Sequence, residues 1–434
     1  MTKRVLMVTT VPVTLEAFLL PLADALHETG WQVDALTGTT DDPVLAGDAE
    51  KLTQHFEQIH HIGWNRSVRS LTRTPQLART IRTLVEKGAY TVVHVHTPIA
   101  AFITRMALAR MPAETRPRIL YTVHGFHFDE SHPLSLGERL FKHAEQVAIH
   151  TTDDLVVMND RDEQAARTLV ARTKGSARPA MLHRIDGTGL YFSAYLNFPP
   201  PAEVRTAQRA ALGIPADAFV VGMIAELNAN KRHRLIVEAA RLFAQRPTAA
   251  HHTEADDSRT TGPPIHFLLI GSGPLETSLK QTVASHGLAD RIHFTGQLPH
   301  DEVRDLIRIC DLGILVSRRE GLPRSLMEFI ASGVPVIGTA TRGITDVVGD
   351  RAALCDATPQ ALAALIDRYA TDSQQRTSLA QQQYTRARAR YDTSVVIGQY
   401  LKLYRPITAG ARATAPQRVS TLHSAPIPAP ANSQ

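Results

Sequence analysis

The chain has 434 residues, of which 43% are hydrophobic and 21% charged, a balance typical of soluble globular proteins that excludes wholesale disorder. One core rarely serves a chain of this length, so two domains of roughly 180–200 residues are expected. The net charge of +5 is too small to indicate a nucleic-acid partner. No apolar run approaches the roughly 18–20 residues that span a bilayer. The two cysteines, Cys310 and Cys355, lack metal-ligand spacing, which predicts a reducing, cytoplasmic environment.

Short apolar runs alternate with amphipathic segments along both halves of the chain. In the first half, strands are predicted at residues 4–10, 32–36, 91–95, 118–123 and 155–158. Helices are expected between them, for example over residues 17–28, with Gly30 closing that helix. In the second half, strands are predicted at residues 219–225, 265–270, 291–294, 312–316 and 334–337. This alternation predicts an α/β fold of two doubly wound, Rossmann-like domains facing across a cleft.

Three segments interrupt the alternation. The proline-rich stretch 197–201 predicts a stiff linker between an N-terminal domain, residues 1–196, and a C-terminal domain, residues 202–385. Residues 247–264, rich in Thr, Asp, Ala and His, are expected to form a surface insertion. Residues 408–434 are rich in Ala, Pro, Ser and Thr without periodicity, which predicts a disordered tail.

A basic stretch in the first half contains a single acid, Glu86. Its cationic residues are Arg66, Arg69, Arg73, Arg79, Arg82 and Lys87. Such a stretch could contact anionic headgroups or a phosphate-bearing acceptor. An ordinary solvated helix face is the alternative.

The strongest functional signal lies between residues 317 and 338. This segment follows an apolar strand, so Glu320 is expected at the strand's C-terminal tip, where open α/β sheets bind ligands. Gly321-Leu322-Pro323 then opens a helix whose first N–H groups can face an anion, and Glu328 follows one to two turns later. Carboxylates accept hydrogen bonds from sugar hydroxyls. The Glu320/Glu328 spacing alone is weak evidence, because such pairs arise by chance.

The whole segment is more specific than that pair. It contains Glu-Gly-Leu-Pro, then Glu328, then Gly-Val-Pro-Val-Ile from Gly333, and Gly343 follows. This order of residues resembles the donor-site signature of the family-4 retaining glycosyltransferases of the GT-B fold. The resemblance covers residues 1–405 outside the insertion. It implies a retaining transfer from a nucleotide sugar, expected to be UDP-linked, with no cofactor and no obligatory metal. It also implies that the last helix, around residues 391–405, rejoins the N-terminal domain.

Further donor-side loops follow in the same order as in the family. The loop from Gly222 ends in Lys231, which the resemblance directs at the diphosphate, with Arg232 as its neighbour; a solvated lysine at a helix start is the alternative. Glu226 stands where many members carry arginine, which resembles the branch that assembles capsule, exopolysaccharide and lipid-linked oligosaccharides. Pro274 is expected at the first position of a helix. The other predicted donor contacts are Asn228, Gly271, Gly273, Gln297 and Leu298.

The N-terminal half is expected to supply the opposing wall. The family carries a histidine facing the donor sugar at the position of His124, and His96 ends the preceding strand. The loop after the first strand, with Thr10, Val11 and Pro12, resembles the family's acceptor-side loop.

A metal site is the alternative interpretation of this half at two places. The first is a set of four imidazoles, those of His94, His96, His124 and His127. No carboxylate or cysteine completes a metal-ligand set with them. For His127 a packing role is expected. Asp160-Arg-Asp162 imitates a metal-binding motif, yet its context predicts a helix start with Asp160 as N-cap and Glu163 at the third position. Asp346 stands where the family usually has glutamate.

The predicted function is transfer of a hexose or N-acetylhexosamine from a nucleotide sugar to an undecaprenyl-diphosphate-linked saccharide. Catalytic roles fall to His124 and Glu320, and the expected location is the cytoplasmic face of the inner membrane, with the protein bound peripherally. Two alternatives remain: a UDP-sugar 2-epimerase of the same fold, which needs no acceptor, and a degenerate transferase that acts as a scaffold.

Overall fold

A computed structural model describes residues 3–64, 74–129, 133–195, 202–246 and 262–405. The predicted linker, most of the predicted insertion, the predicted tail and the basic residues Arg66, Arg69 and Arg73 lie outside these ranges. Within them no helix is long and apolar enough to cross a membrane.

The first domain is built on a seven-stranded parallel sheet of order β3-β2-β1-β4-β5-β6-β7. Its strands are β1 (Arg4–Val8), β2 (Gln32–Gly38), β3 (Ile59–Ile62), β4 (Val92–Val95), β5 (Arg118–Thr122), β6 (Asp154–Val157) and β7 (Met181–Arg184). Its helices are α1 (Pro12–Phe18), α2 (Leu20–Glu28), α3 (Pro43–Ala46), α4 (Ala49–His55), α5 (Thr74–Gly88), α6 (Pro98–Leu108), α7 (Leu136–Ala148) and α8 (Asp160–Ala171).

The second domain repeats the scheme with a six-stranded parallel sheet of order β10-β9-β8-β11-β12-β13. Its strands are β8 (Phe219–Ile224), β9 (Ile265–Ile270), β10 (Ile292–Gly296), β11 (Leu312–Leu315), β12 (Val336–Thr339) and β13 (Leu354–Cys355). The helices are α9 (Ala202–Ala211), α10 (His233–Ala244), α11 (Glu276–Ser285), α12 (His300–Arg308), α13 (Arg324–Ala331), α14 (Ile344–Val348), α15 (Pro359–Thr371), α16 (Ser373–Tyr391) and α17 (Thr393–Leu403). The predicted fold of two Rossmann-like domains is confirmed.

Two strands and one helix of the first domain differ from the sequence prediction. The strands β3 (IHHI) and β7 (MLHR) were not predicted, because their polar residues hide the apolar run expected of a buried parallel strand. The helix predicted over residues 17–28 is two helices that meet at Leu19. Pro21, in the first turn of α2, has no backbone N–H to continue α1, which accounts for the break.

The last helix crosses to the first domain. Val396, Ile397, Tyr400 and Tyr404 pack in the same apolar cluster as β1, β2 and α2, on the face of the first sheet opposite α5 and α6. Helix α16, immediately before it, packs in the second domain's core. The chain therefore joins the two domains a second time near Asp392.

Two neighbouring valines of α17 test this docking. Val396 is fully buried and Val395 is 36% exposed. We expect Val396→Ala to lower the free energy of unfolding of the first domain by about 2 kcal/mol, because it removes two buried methyl groups and leaves a cavity. Val395→Ala should change it by under about 0.5 kcal/mol. Both tryptophans, Trp31 and Trp64, lie in the first domain, so urea unfolding followed by their fluorescence measures the difference. Equal effects of the two substitutions would contradict the docking.

Candidate active site

The loops that leave the carboxyl ends of β8 and β9 are tied together by backbone hydrogen bonds. Leu227 N donates to Ser272 O at 2.9 Å, and Leu275 N donates to Leu227 O at 2.9 Å. A Cβ on Gly273 would lie 2.7 Å from Leu227 N and O, so only glycine allows this approach. Gly271 N donates to the carbonyl of Gly296 on β10, one residue before Gln297. The predicted donor contacts Gly271, Gly273 and Gln297 therefore line one edge of the second sheet.

Helix α11 begins later than predicted. Its first residue is Glu276, so Pro274 lies in the preceding turn and not at the first helical position. Gln297 is exposed and its Oε1 lies 3.3 Å from Ser272 Oγ, while Leu298 packs against the core.

Lys231 and Glu320 meet at this edge. Their Nζ and Oε1 atoms are 2.6 Å apart. Asn228 shapes the loop before Lys231, because its side-chain oxygen accepts from the backbone N–H groups of Asn230 and Lys231, while its amide donates to Glu226 at 2.9 Å. Four predicted donor-side residues are thus brought together: Glu226, Asn228, Lys231 and Glu320.

Arg232, a predicted donor contact, has most of its guanidinium engaged by residues of the second domain. It adopts a left-handed backbone conformation (φ 53°), and its guanidinium donates to the carbonyls of Val316 and Ser317 and to Thr339 Oγ1. Burial lowers the pKa of Arg232. These bonds hold the ends of β11 and β12 next to the donor loop.

Helix α13 starts beside Glu320, as predicted. Pro323 is its N-cap residue, and no side chain of the described residues caps its first turn, which leaves backbone N–H groups for an anion. Glu328, in the second turn, is 5% exposed, and its Oε1 accepts from Arg324 Nε at 3.1 Å. His300 Nε2 lies 3.9 Å from the same carboxylate and 3.2 Å from Tyr195 OH. Sequence reasoning missed these three partners of Glu328, which have no motif of their own.

Three imidazoles form a row at the carboxyl ends of β4 and β5. The ring centroids of His94 and His96 are 4.0 Å apart, and those of His96 and His124 are 5.5 Å apart. His94 bonds Tyr404 OH at 2.6 Å and Thr122 Oγ1 at 2.8 Å. Burial lowers the pKa of His94 to about 3 and that of His124 to about 4, and burial lowers the pKa of His96 well below its ordinary value. All three rings are therefore neutral near pH 7.

The predicted acceptor-side loop lies beside this row. Thr10, Val11 and Pro12 are buried, and Pro12 begins α1. Thr10 N donates to Thr97 Oγ1 at 2.7 Å, which holds the loop against the end of β4 next to His96. The ring of His127 packs against that of Phe141, with the centroids 4.8 Å apart and the planes tilted by 34°. The described residues contain no group of three or more side chains that could hold a metal ion.

The two domains come into contact at Gly125 and Gly321. A Cβ on Gly321 would lie 2.0 Å from the carbonyl oxygen of His124, and one on Gly125 (φ 121°) would lie 3.1 Å from Gly321 Cα. Leu322 follows this contact and approaches Gly187 of the first domain. The backbone of His124 therefore contacts the residue after Glu320, and only glycine at position 321 permits this separation.

A buried arginine that sequence reasoning missed closes the cleft. Arg342, 4% exposed, donates to Asp162 Oδ1 at 3.0 Å and to the carbonyls of Phe126, Phe128 and Glu320. Burial raises the pKa of Asp162, and Arg342 opposes that rise. Nothing in the local sequence around Arg342 indicates a partner 180 residues away.

The prediction for the Asp160–Asp162 segment is partly wrong. The segment does begin a helix, but the N-cap residue is Asn159, whose side chain accepts from Asp162 N, and Asp162 occupies the third position. Asn159 also donates to Gly321 O at 2.9 Å. Asp346 accepts from Asp160 N and from Arg184 across the same interface. Asp346 therefore joins the domains.

Comparison with known proteins gives the class. The chain resembles the solved structure of Anabaena HepE in complex with UDP and glucose, with a TM-score of 0.67 at 20% identity over 92% of this chain and 99% of HepE. Bacillus subtilis EpsD, named as a glycosyltransferase, is 27% identical over 81% of this chain and 82% of EpsD. Escherichia coli UDP-Gal:alpha-D-GlcNAc-diphosphoundecaprenol alpha-1,3-galactosyltransferase is 24% identical over 60% of each chain. The fold and its relatives define a glycosyltransferase of the GT-B fold.

Two family models divide the chain between them. Glycosyltransferase Family 4 matches residues 15–171, and Glycosyl transferases group 1 matches residues 204–386. The two models together identify the chain as a glycosyltransferase of the family-4 type.

The histidine row predicts a dependence of stability on pH. The pKa values of His94 and His124 in the folded protein lie below their ordinary value of 6.5, so the unfolded chain binds protons more tightly. Stability is therefore fully present above pH 6.5 and falls as the pH drops toward 4. We expect the urea midpoint, followed by tryptophan fluorescence, to fall less steeply over this range in His94→Gln. Thr122→Val keeps all three imidazoles and should retain the wild-type slope. An unchanged slope in His94→Gln would count against this account.

Arg342 and Arg319 form a matched pair for testing closure. Arg342→Ala leaves the Asp162 carboxylate buried without its cation, which costs about 3–5 kcal/mol in the closed state. We expect the domains to separate and the radius of gyration from small-angle X-ray scattering to increase. Arg319, 45% exposed and 3.5 Å from Glu138, also bridges the domains, but its loss should cost under about 1 kcal/mol. Arg319→Ala should therefore leave the radius of gyration unchanged, and the same result for Arg342→Ala would refute the role of Arg342.

Proposed function

We propose that this glycosyltransferase moves a sugar from a UDP-linked donor to a lipid-linked saccharide with retention of anomeric configuration. The observation that carries the proposal is that Lys231 pairs with Glu320 just before the start of α13, and that Gly321, next in the chain, contacts the backbone of His124 in the other domain. On the donor side, the Lys231 ammonium, paired with Glu320, and the start of α13 can receive a departing nucleoside diphosphate, and the His124 imidazole of the other domain is neutral.

The donor wall supplies the charge that a leaving diphosphate needs. The Lys231 ammonium and the uncapped N–H groups of α13 can neutralise the developing negative charge, a task that other enzymes give to a metal ion. We therefore propose that transfer needs no divalent cation. The Glu320 and Glu328 carboxylates are suited to accept hydrogen bonds from hydroxyls of the sugar and the ribose. The choice of UDP is supported by the structural similarity to HepE, which was solved in complex with UDP and glucose.

The opposing wall is suited to the sugar. A neutral His124 can share a hydrogen bond with a hydroxyl without attracting the diphosphate away from Lys231. Closure brings His124 to the donor loop and excludes water, which favours transfer over hydrolysis. Retention is supported by family membership alone.

The acceptor class rests on relatives and on charge. The name of the Escherichia coli relative includes a diphosphoundecaprenol-linked acceptor, and the described part of the basic stretch, on α5, carries Arg79, Arg82 and Lys87. We place the enzyme at the cytoplasmic face of the inner membrane on these grounds.

Incubation with a panel of UDP-sugars tests the proposal. We expect release of UDP only when a polyprenyl-diphosphate saccharide is supplied, an α-linked product from an α-linked donor by NMR, and unchanged rates in excess EDTA. Conversion of the UDP-sugar to its 2-epimer without acceptor would replace this proposal with the epimerase. A product of inverted anomeric configuration would refute the proposed retention. Loss of activity in EDTA would refute the proposed independence of a divalent cation.

Site variants connect the activity to the cleft. Lys231→Ala and Glu328→Ala should each weaken UDP binding, measured by calorimetry, about 10–100-fold, because each removes a charged hydrogen-bonding group. Lys280→Ala is the matched control, since Lys280 is exposed on α11 and pairs with Glu276. UDP binding unchanged in both cleft variants would refute the site.

A further inference from the structure

Helix α7 turns its largest aliphatic side chains outward. Leu136, Leu140 and Val147 are 76%, 63% and 42% exposed, and their spacing places them on one face of the helix. Isolated exposed apolar residues are common, but a row of them on one helix face indicates an interaction surface.

The acidic residues of α7 are turned away from that face. Glu145 is 7% exposed and accepts from Arg105 and from Tyr121. Glu138 closes a capping box with Ser135 and lies 3.5 Å from Arg319. The outer face of α7 therefore carries apolar and basic side chains, with the exposed residues Arg139 and His143 among the apolar ones.

The neighbouring surface is also basic. Helices α5 and α6 cover the same face of the first sheet as α7, with α6 in contact with both. On α5, Ile81 and Val85 are buried, whereas Arg79, Glu86 and Lys87 are exposed, so that cations outnumber the single acid. The apolar row of α7 with the adjoining Arg139, and the cations of α5 beyond α6, are complementary to an anionic bilayer, whose headgroups are negative and whose interior is apolar.

The first turns of α7 lie at the mouth of the cleft. Glu138, two residues from both Leu136 and Leu140, pairs with Arg319, and Arg319 precedes Glu320 in the chain. A bilayer in contact with Leu136 and Leu140 would therefore hold a lipid-linked substrate close to the donor loop.

We propose that the outer face of α7 docks this enzyme on an anionic lipid bilayer, with Leu136 and Leu140 inserted at the boundary of headgroups and acyl chains. The inference rests on the proposed lipid-linked acceptor and identifies the surface that meets the membrane. A symmetric dimer through α7 fits less well, because a two-fold interface would bring the basic residues of the two copies together.

Vesicle sedimentation with the full-length protein tests the proposal independently of catalysis. We expect binding to phosphatidylcholine vesicles that contain phosphatidylglycerol, weaker binding to phosphatidylcholine alone, and weakening by salt. Leu136→Ser/Leu140→Ser should lower the partition coefficient at least about tenfold. Arg139→Gln should lower it about fivefold, the effect of one cation near an anionic surface.

The matched control is Met181→Ser/Val204→Ser, which removes two side chains that are 48% and 46% exposed elsewhere. It should bind vesicles as the wild type does. UDP binding should persist in all variants, so a failure of docking is distinct from a failure of the donor site. Absent vesicle binding, or equal binding by the leucine variant and the wild type, would overturn the proposal. A wild-type dimer in analytical ultracentrifugation that the leucine substitutions dissociate would overturn it in favour of a protein interface.

Discussion

The contact between the two domains depends on a guanidinium buried at their interface. Removing Arg342 from water is costly, and the cost is offset only when several oxygens surround it. Those oxygens come from both domains: Asp162, Phe126 and Phe128 from the first, Glu320 from the second. Because the set is complete only when the cleft is closed, Arg342 stabilises the state in which the two walls of the site meet.

The close approach of the two domains also requires glycine at the point of contact. Gly321 passes within contact of the His124 carbonyl, and Asn159 bonds the Gly321 carbonyl from the other side. The glycine of the Glu-Gly-Leu-Pro segment thus serves the domain interface as well as the approach of an anion to α13. Electrostatic roles are divided between the walls: cation and helix start on one side, uncharged imidazoles on the other.

The C-terminal helix supports the histidine wall from behind. Tyr404, immediately after α17, bonds His94. The ring of His94 packs against that of His96, which bonds His124. The helix that joins the domains a second time therefore also fixes the orientation of the imidazoles. Helix α7 extends this arrangement outward, since its first turns connect the donor loop, through Arg319, to an apolar and basic outer face.

Much of this protein could be predicted from local sequence. The alternation of strands and helices, the helix after Glu320 and the position of His124 at a strand end follow from patterns a few residues long, since parallel strands bring their carboxyl ends to one edge. Lys231 lies seven residues after the end of β8 and is assigned through the family resemblance. The roles of Arg232, Arg342 and Asp346, the capping by Asn159 and the polar strands β3 and β7 did not follow. Apart from the cap at Asn159, whose bond to Asp162 N spans three residues, each of these depends on partners far away in the chain. Hydrogen bonds between distant residues have no local pattern. Only the tertiary structure brings those partners together.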